Sequence, residues 1–281
     1  MTNLTFPVLI NGLETDRLDV RDRGFQYGDG VFTTLPVFDG QPAWLEHHLA
    51  RLERDCHRLV ISWPGQAVLR REVDAVLGHL PARAVLKIQL TRGTGGRGYA
   101  YGVDNVTTRV VSLHPPPQYP ASIHVQGIPV TVCQTRLGIN PALAGLKHTN
   151  RLEQILARAE LQGTPCLEGI TLDQAGYVTE GTFTNLFLVS NGVIHTPLLD
   201  RCGVWGVMRD ILMEEFERSG VSVRQTRLSL ASLYQADEVF LSNSVLGVWS
   251  VRCCDHRSYP QTTCAGLAQA FLQGYYPYFP V

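Results

Sequence analysis

Leu143-Ala144-Gly145-Leu146-Lys147-His148-Thr149-Asn150-Arg151-Leu152-Glu153-Gln154 is the stretch on which the reading of this chain turns. It places one of only two lysines among 281 residues at the end of an apolar approach, just before an expected helix. The remaining 22 of the 24 Lys+Arg residues are arginines. An amine at Lys147 would be partly desolvated and close to the positive end of a helix dipole. Both effects disfavour the ammonium form, which is what a Schiff-base lysine needs. The other lysine, Lys87, lies in Val85-Leu86-Lys87-Ile88-Gln89-Leu90, a strand-like alternation that puts it on the polar face.

Working outward, Asn150-Arg151-Leu152-Glu153 has capping-box chemistry and predicts a helix to about Leu161, with Leu152, Ile155, Leu156 and Ala159 inward. Before this stretch, Phe6–Ile10 runs into an Asn11-Gly12 turn, and a strand over Val31–Phe38 closes at Asp39-Gly40, both hairpin signals. Glu46 to Ile61 repeats apolar residues at helical period, Arg70 to Leu80 predicts a second helix, and Ala84–Thr91 and Thr108–Leu113 predict strands. After it come a strand-rich stretch (Gly169–Leu172, Tyr177–Glu180, Thr184–Val189), a helix within Val204 to Ser219, a strand Glu238–Leu241 and a final helix Thr263–Leu272. A further strand is expected over Ile128–Gln134. Hairpins and helices in mixed order predict an α+β fold rather than a doubly wound sheet. His114-Pro115-Pro116-Pro117-Gln118-Tyr119-Pro120 cannot continue a helix or central strand. It predicts a smaller N-terminal domain over 1–114, a Pro-rich linker at 115–120 and a larger C-terminal domain over 121–281.

Composition narrows the function. Hydrophobic content of 44 % and a net charge of −1, with no basic run, argue against nucleic acid and anionic membrane as partners. No run of eighteen apolar residues predicts a membrane span, and no secretory plan opens the chain. Seven cysteines without C-x-x-C spacing read as reduced thiols in a cytoplasm.

If Lys147 captures an aldehyde cofactor, the chain must also supply an acid for a ring nitrogen and a cradle for a phosphate. Glu180, beside Gly181 at the end of a short strand, is the candidate acid, with Thr182, Thr184 and Asn185 placed to hold it. Cys202-Gly203-Val204-Trp205-Gly206-Val207-Met208-Arg209 sets two glycines before a helix start, where free amides bind phosphate. Ser242-Asn243-Ser244, after a strand, is the other candidate cradle. Arg51 follows His47 and His48 by a turn. An arginine on a helix usually faces water, but pointing inward it would clamp a phosphate or carboxylate. Arg92-Gly93-Thr94-Gly95-Gly96-Arg97-Gly98-Tyr99 has no following helix, which excludes a dinucleotide loop. It reads as a mobile loop offering two arginines and aromatic stacking to an acidic ring.

Together these segments, from Arg21-Asp22-Arg23-Gly24-Phe25-Gln26-Tyr27-Gly28-Asp29-Gly30-Val31-Phe32 to Ser242-Asn243-Ser244, resemble the fold-type IV pyridoxal-phosphate enzymes. These include branched-chain and D-amino-acid aminotransferases and aminodeoxychorismate lyase. The resemblance implies a two-domain α+β homodimer using pyridoxal 5′-phosphate. It implies that Lys147 carries the cofactor, that Glu180 faces the ring nitrogen, and that Arg51, the backbone at Val207 and Met208, and Ser244 hold the phosphate. It also implies that Arg97 and Tyr99 meet a substrate carboxylate. Arg136-Leu137-Gly138-Ile139-Asn140-Pro141 and the Lys147 stretch are similar to the lyase branch. Thr33-Thr34 stands where transaminases of this family usually have an acidic residue, and Arg151 where branched-chain transaminases place a tyrosine near the cofactor hydroxyl. The expected reaction is loss of pyruvate from 4-amino-4-deoxychorismate, giving 4-aminobenzoate for folate synthesis. Lys147 would move the proton, with Thr34 helping to orient the leaving group. The alternative is a D- or branched-chain amino-acid transaminase.

Overall fold

The computed structural model describes residues 6–78, 83–102, 104–260 and 262–276. The chain forms two compact units: Met1–Pro117 together with Lys147–Asn150, and Gln118–Leu146 together with Arg151–Val281. The fold is α+β.

The first unit is built on a six-stranded antiparallel sheet. Its elements are β1 (Val8–Ile10), β2 (Leu13–Glu14), α1 (Arg23–Tyr27), β3 (Gly30–Phe38), β4 (Gln41–Pro42), α2 (Leu45–Arg58), α3 (Gln66–Leu77), β5 (Arg83–Thr91) and β6 (Thr108–His114). The strand order is β2-β1-β6-β5-β3-β4. Both expected hairpins form. Asn11-Gly12 and Asp39-Gly40 all take positive φ, the conformation a tight hairpin turn requires. One sheet face packs Val31, Leu35, Leu86, Ile88 and Val111 against Leu49, Leu52 and Cys56 of α2 and Leu69 and Val73 of α3. The helix expected over Arg70–Leu80 begins earlier, at Gln66, and the last two residues of that expectation lie outside the described residues.

The second unit carries α4 (Ser122–Gln126), β7 (Ile128–Leu137), α5 (Leu152–Ala159), β8 (Glu168–Asp173), β9 (Tyr177–Gly181), β10 (Asn185–Ser190), β11 (Val193–Pro197), α6 (Val207–Arg218), β12 (Val223–Thr226), β13 (Leu228–Ser229), α7 (Leu230–Gln235), β14 (Glu238–Asn243), β15 (Gly247–Cys254), β16 (Arg257–Ser258) and α8 (Thr263–Tyr275). Its mixed sheet runs β12-β11-β10-β14-β15-β7-β8-β9-β13, with β16 paired to β15. The core is Ile128, Val130, Ile170, Leu186, Val239, Leu241, Trp249 and Val251 with their neighbours. All seven cysteines are free thiols.

Helix α5 departs from expectation in two ways. Its N-cap is Arg151, with no side-chain cap. Asn150 instead donates to the Gly28 carbonyl at 2.8 Å, and Glu153 Oε1 accepts from the Gly138 amide at 2.8 Å. Partners far away in sequence have taken both halves of the expected capping box. The helix is also turned outward: Leu152, Ile155 and Leu156 are 73, 60 and 59 % exposed, Ala159 is exposed, and Ala157 is the buried position. The apolar stripe is real but finds no cover within its own unit.

Candidate active site

In the first unit, Lys147–Asn150 runs beside the start of β3. The Phe32 amide donates to the Lys147 carbonyl at 3.0 Å, and the Thr149 amide to the Gly30 carbonyl at 2.9 Å. Asn150 Nδ2 donates to Gly28 O, and at Gly28 (φ 67°) a Cβ would sit 2.6 Å from Asn150 Oδ1, so a side chain there would break the seam. The Lys147 amide donates to Asp55 Oδ2 at 3.1 Å. The lysine main chain is therefore pinned on both sides, and its Nζ lies 4.7 Å from the centre of the Phe32 ring.

Asp55 and Arg51 are one turn apart on the buried face of α2. Arg51 points inward, 6 % exposed, and its guanidinium donates to Thr33 Oγ1 at 2.5 Å. Thr33 Oγ1 also lies 2.6 Å from His48 Nδ1. The hydroxyl accepts from Arg51 and shares a hydrogen bond with Nδ1 whose direction follows the imidazole tautomer. Burial, reinforced by the charge of Arg51, pushes the His48 pKa well below its usual value, so the ring is neutral. His48 and Asp55 were not singled out from the sequence, and Thr33 was noted only as a departure from the transaminase pattern. The available signal for His48 and Asp55 was their three- and four-residue spacing from Arg51 inside the apolar stripe of α2.

The Gly-rich loop behaves differently from expectation. Arg92 is buried and is not available to a substrate. It forms a bidentate pair with Asp29 (2.7 and 3.0 Å), donates to the Leu59 carbonyl at 2.8 Å, and stacks on Tyr101. Arg23 fixes the loop from below by donating to the carbonyls of Gly98, Tyr99 and Ala100. Arg97 and Tyr99 remain at the surface, with Tyr99 87 % exposed and edge-on to Tyr27. Thr34 projects from the face of β3 opposite to Thr33 and is half-buried, directly across from Lys87. Lys87 is half-buried rather than solvated, because it packs towards Phe32.

In the second unit, Glu180 on β9 is 4 % exposed. Its Oε2 accepts from the Val204 amide at 2.8 Å, and Gln154 Nε2 reaches Oε1 at 3.5 Å. Burial lowers the pKa of the Arg151 guanidinium, and the charges of Glu180 and Glu153 oppose that shift, which places Arg151 within the field of Glu180. The expected supports of Glu180 serve elsewhere. Thr182 and Thr184 donate to Glu168, a fully buried carboxylate, and Asn185 donates to the Val204 carbonyl. Burial pushes the Glu168 carboxyl up against those hydrogen bonds. Sequence proximity pointed to Glu180, but β8 lies beside this turn and brings Glu168 closer.

Helix α6 begins at Val207 after Gly206, with no side-chain cap on its first amides. A Cβ on Gly206 would fall 2.0 Å from Asn185 Oδ1, so a side chain there would displace Asn185 from its bond to the Val204 carbonyl. Val207 and Met208 are buried. At the end of β14, Ser242 and Ser244 are 1 and 9 % exposed, and Ser242 Oγ is buried without a hydrogen-bond partner among the described residues. Asn243 Oδ1 accepts from the Val245 and Leu246 amides and shapes this turn.

The sequence profile of the amino-transferase class IV family matches residues 30–254, and the chain belongs to that family. The chain is 40 % identical over 241 residues to aminodeoxychorismate lyase of Vibrio harveyi, covering 85 % of this chain and 88 % of that protein. The crystal structure of 4-amino-4-deoxychorismate lyase from Pseudomonas aeruginosa superposes with a TM-score of 0.91 at 46 % identity, covering 95 % of this chain and 98 % of the other. The branched-chain amino acid aminotransferase from Escherichia coli gives 0.82 at 25 % identity, covering 97 and 94 %.

Proposed function

We propose that this protein is a pyridoxal-phosphate-dependent lyase that converts 4-amino-4-deoxychorismate to 4-aminobenzoate and pyruvate, a step of folate synthesis. The observation that carries the reading is the double backbone anchoring of Lys147, with its amine over Phe32, in a chain this similar to lyases along nearly its whole length. The donor set fits the cofactor. In the first unit these donors are a buried inward arginine and an anchored amine; in the second, an uncapped glycine-led helix start, a held carboxylate and the buried Ser242 hydroxyl, which has no partner among the described residues.

Pyridoxal phosphate supplies an aldehyde for the substrate amine and a ring that withdraws electrons from the adjacent carbon. Arg51, the amides of Val207 and Met208, and Ser244 hold its phosphate. Arg51 is preset by Thr33 and His48, so little side-chain freedom is lost on binding. Glu180 keeps the ring nitrogen protonated. Lys147 Nζ takes the proton from the substrate carbon that bears the amine. It then delivers a proton to the departing ether oxygen, with the Thr34 hydroxyl orienting that oxygen. Breaking the C–H and C–O bonds leaves an aromatic ring, a driving force that ordinary amino acids lack. Arg97 and Tyr99 take a substrate carboxylate.

The protein works as a homodimer in the cytoplasm on this reading. The exposed Leu152, Ile155 and Leu156 of α5 supply an apolar face for a second copy. Among the described residues, no helix is long and apolar enough to cross a membrane. The test is pyruvate release from substrate generated in situ from chorismate, with transamination to 2-oxoglutarate measured in parallel. Pyruvate without matching transamination supports the lyase; the reverse pattern would assign the chain to the transaminases.

A further inference from the structure

The second lysine has no assigned role, although its position is as particular as that of the first. Lys87 on β5 pairs directly with Thr34 on β3 and with Ser112 on β6. Directly opposed residues on neighbouring strands project to the same face. Thr34, Lys87 and Ser112 thus form one row across the sheet, and Phe32 with Gln89 forms part of the next. The core residues Val31, Leu35, Leu86 and Ile88 occupy the opposite face, against α2 and α3. Lys87 therefore projects away from the core, on the side where Lys147 meets Phe32. Both amines lie over that one ring, Lys147 Nζ at 4.7 Å and Lys87 Nζ at 5.4 Å from its centre.

The chemistry of this neighbourhood is one-sided. Lys87 is half-buried, and burial lowers its pKa, the mark of an ammonium short of solvent. It takes part in no ion pair with a carboxylate among the described residues. Its row supplies hydroxyls from Thr34 and Ser112, and among the described residues of its own unit the charged or titratable groups recorded beside it are Lys147 and His114, neither of them anionic. An aromatic face compensates a desolvated cation only in part. The group missing from this row is an anion.

We propose that Lys87 binds a carboxylate of the substrate and so selects for a diacid whose reacting carbon lies within reach of Lys147. This rests on the lyase reading and deepens it. 4-Amino-4-deoxychorismate carries two carboxylates, one on the ring and one on the enolpyruvyl group, so Lys87 and Arg97 serve different acids. A monocarboxylic amino acid can satisfy only one of these two cations, and the preference for the diacid follows from charge.

The experiment compares wild-type enzyme with Lys87→Met and Lys87→Arg. Pyruvate release should show KM raised about ten- to a hundredfold in Lys87→Met, from loss of one charge-assisted hydrogen bond, with a much smaller change in kcat. Lys87→Arg should recover most of that loss, which a merely structural role for the methylene stem would not predict. Independently of turnover, calorimetry on the holoenzyme compares 4-aminobenzoate with its neutral isostere 4-aminobenzamide. Loss of the acid-over-amide preference in Lys87→Met assigns the ring carboxylate to Lys87. A raised KM with that preference intact assigns the enolpyruvyl carboxylate, and also supports the proposal. Unchanged KM and unchanged preference, in an enzyme that still releases pyruvate, would overturn the role of Lys87 alone. No pyruvate release by the wild-type enzyme would remove the lyase reading and this inference with it.

Discussion

Replacing Asp55 with alanine tests whether α2 holds the reactive lysine in place. The carboxylate is fully buried. Its Oδ2 accepts the Lys147 amide at 3.1 Å, and its Oδ1 accepts two hydrogen bonds from Arg54, at 3.0 and 2.8 Å. Truncation leaves the Lys147 amide without its acceptor, which costs about 1–3 kcal/mol for a buried donor. The Arg54 side chain is 34 % exposed, so its ion pair is screened and adds less than about 1 kcal/mol. A total near 2–3 kcal/mol corresponds to a fall in Tm of roughly 4–12 °C for a chain of this size class. Asp55→Asn keeps an oxygen for the amide and should lose no more than about half as much. Thermal unfolding followed by circular dichroism gives the stability arm, and absorbance titration with pyridoxal phosphate gives the functional arm. The alanine variant should bind the cofactor more weakly than the asparagine variant, because the lysine main chain is then held on one side only. An alanine variant with wild-type Tm and wild-type cofactor affinity would refute the reasoning.

Other consequences are open to simple measurements. Thr33→Val removes the hydroxyl that presets Arg51, so it should weaken binding of pyridoxal phosphate several-fold, by about 1 kcal/mol, and leave binding of phosphate-free pyridoxal unchanged. Equal losses for both ligands would disconnect Thr33 from the phosphate. For Asp29, burial alone would raise the carboxyl pKa, but hydrogen bonds from Arg92 and Arg23 outweigh it and hold the value below the ordinary 3.8. A depressed folded-state pKa contributes stability that is fully present above the unfolded value and is lost as pH falls through the folded one. The Tm gap between wild type and Asp29→Asn should therefore be constant near neutral pH and narrow once pH drops below about 4; a gap that widens in acid contradicts the sign. Ile155→Asp puts a charge in the exposed apolar stripe of α5 and should shift the protein towards monomer in light scattering. A dimer of undiminished stability would move the interface elsewhere.

Much of the fold was legible because its signals are local. Asn11-Gly12 and Asp39-Gly40 demand positive φ, and turns formed at both. The apolar repeat at Leu49, Leu52 and Cys56 buries one face of α2 whatever it packs against. The misread features share one cause, competition from partners remote in the chain. Asn150 and Glu153 were captured by Gly28 and Gly138 instead of capping α5. Thr182 and Thr184 turned to Glu168 on the neighbouring strand rather than to Glu180 nearby. Asp55 escaped notice because the amide it holds is 92 residues away. Arg92 looked available in a glycine-rich loop, yet Asp29 and the end of α2 had already taken it. Periodicity locates a stripe but not what covers it, which is why Leu152, Ile155 and Leu156 were expected inside.

The central claim is that Lys147 is the amine that carries the cofactor, and borohydride fixation tests it directly. Purified enzyme loaded with pyridoxal phosphate is reduced and digested, and the peptides are weighed. The account predicts the added cofactor mass on the peptide containing Lys147, and none there after Lys147→Ala. Cofactor mass on the Lys87 peptide of the wild-type enzyme, or on neither, would contradict it.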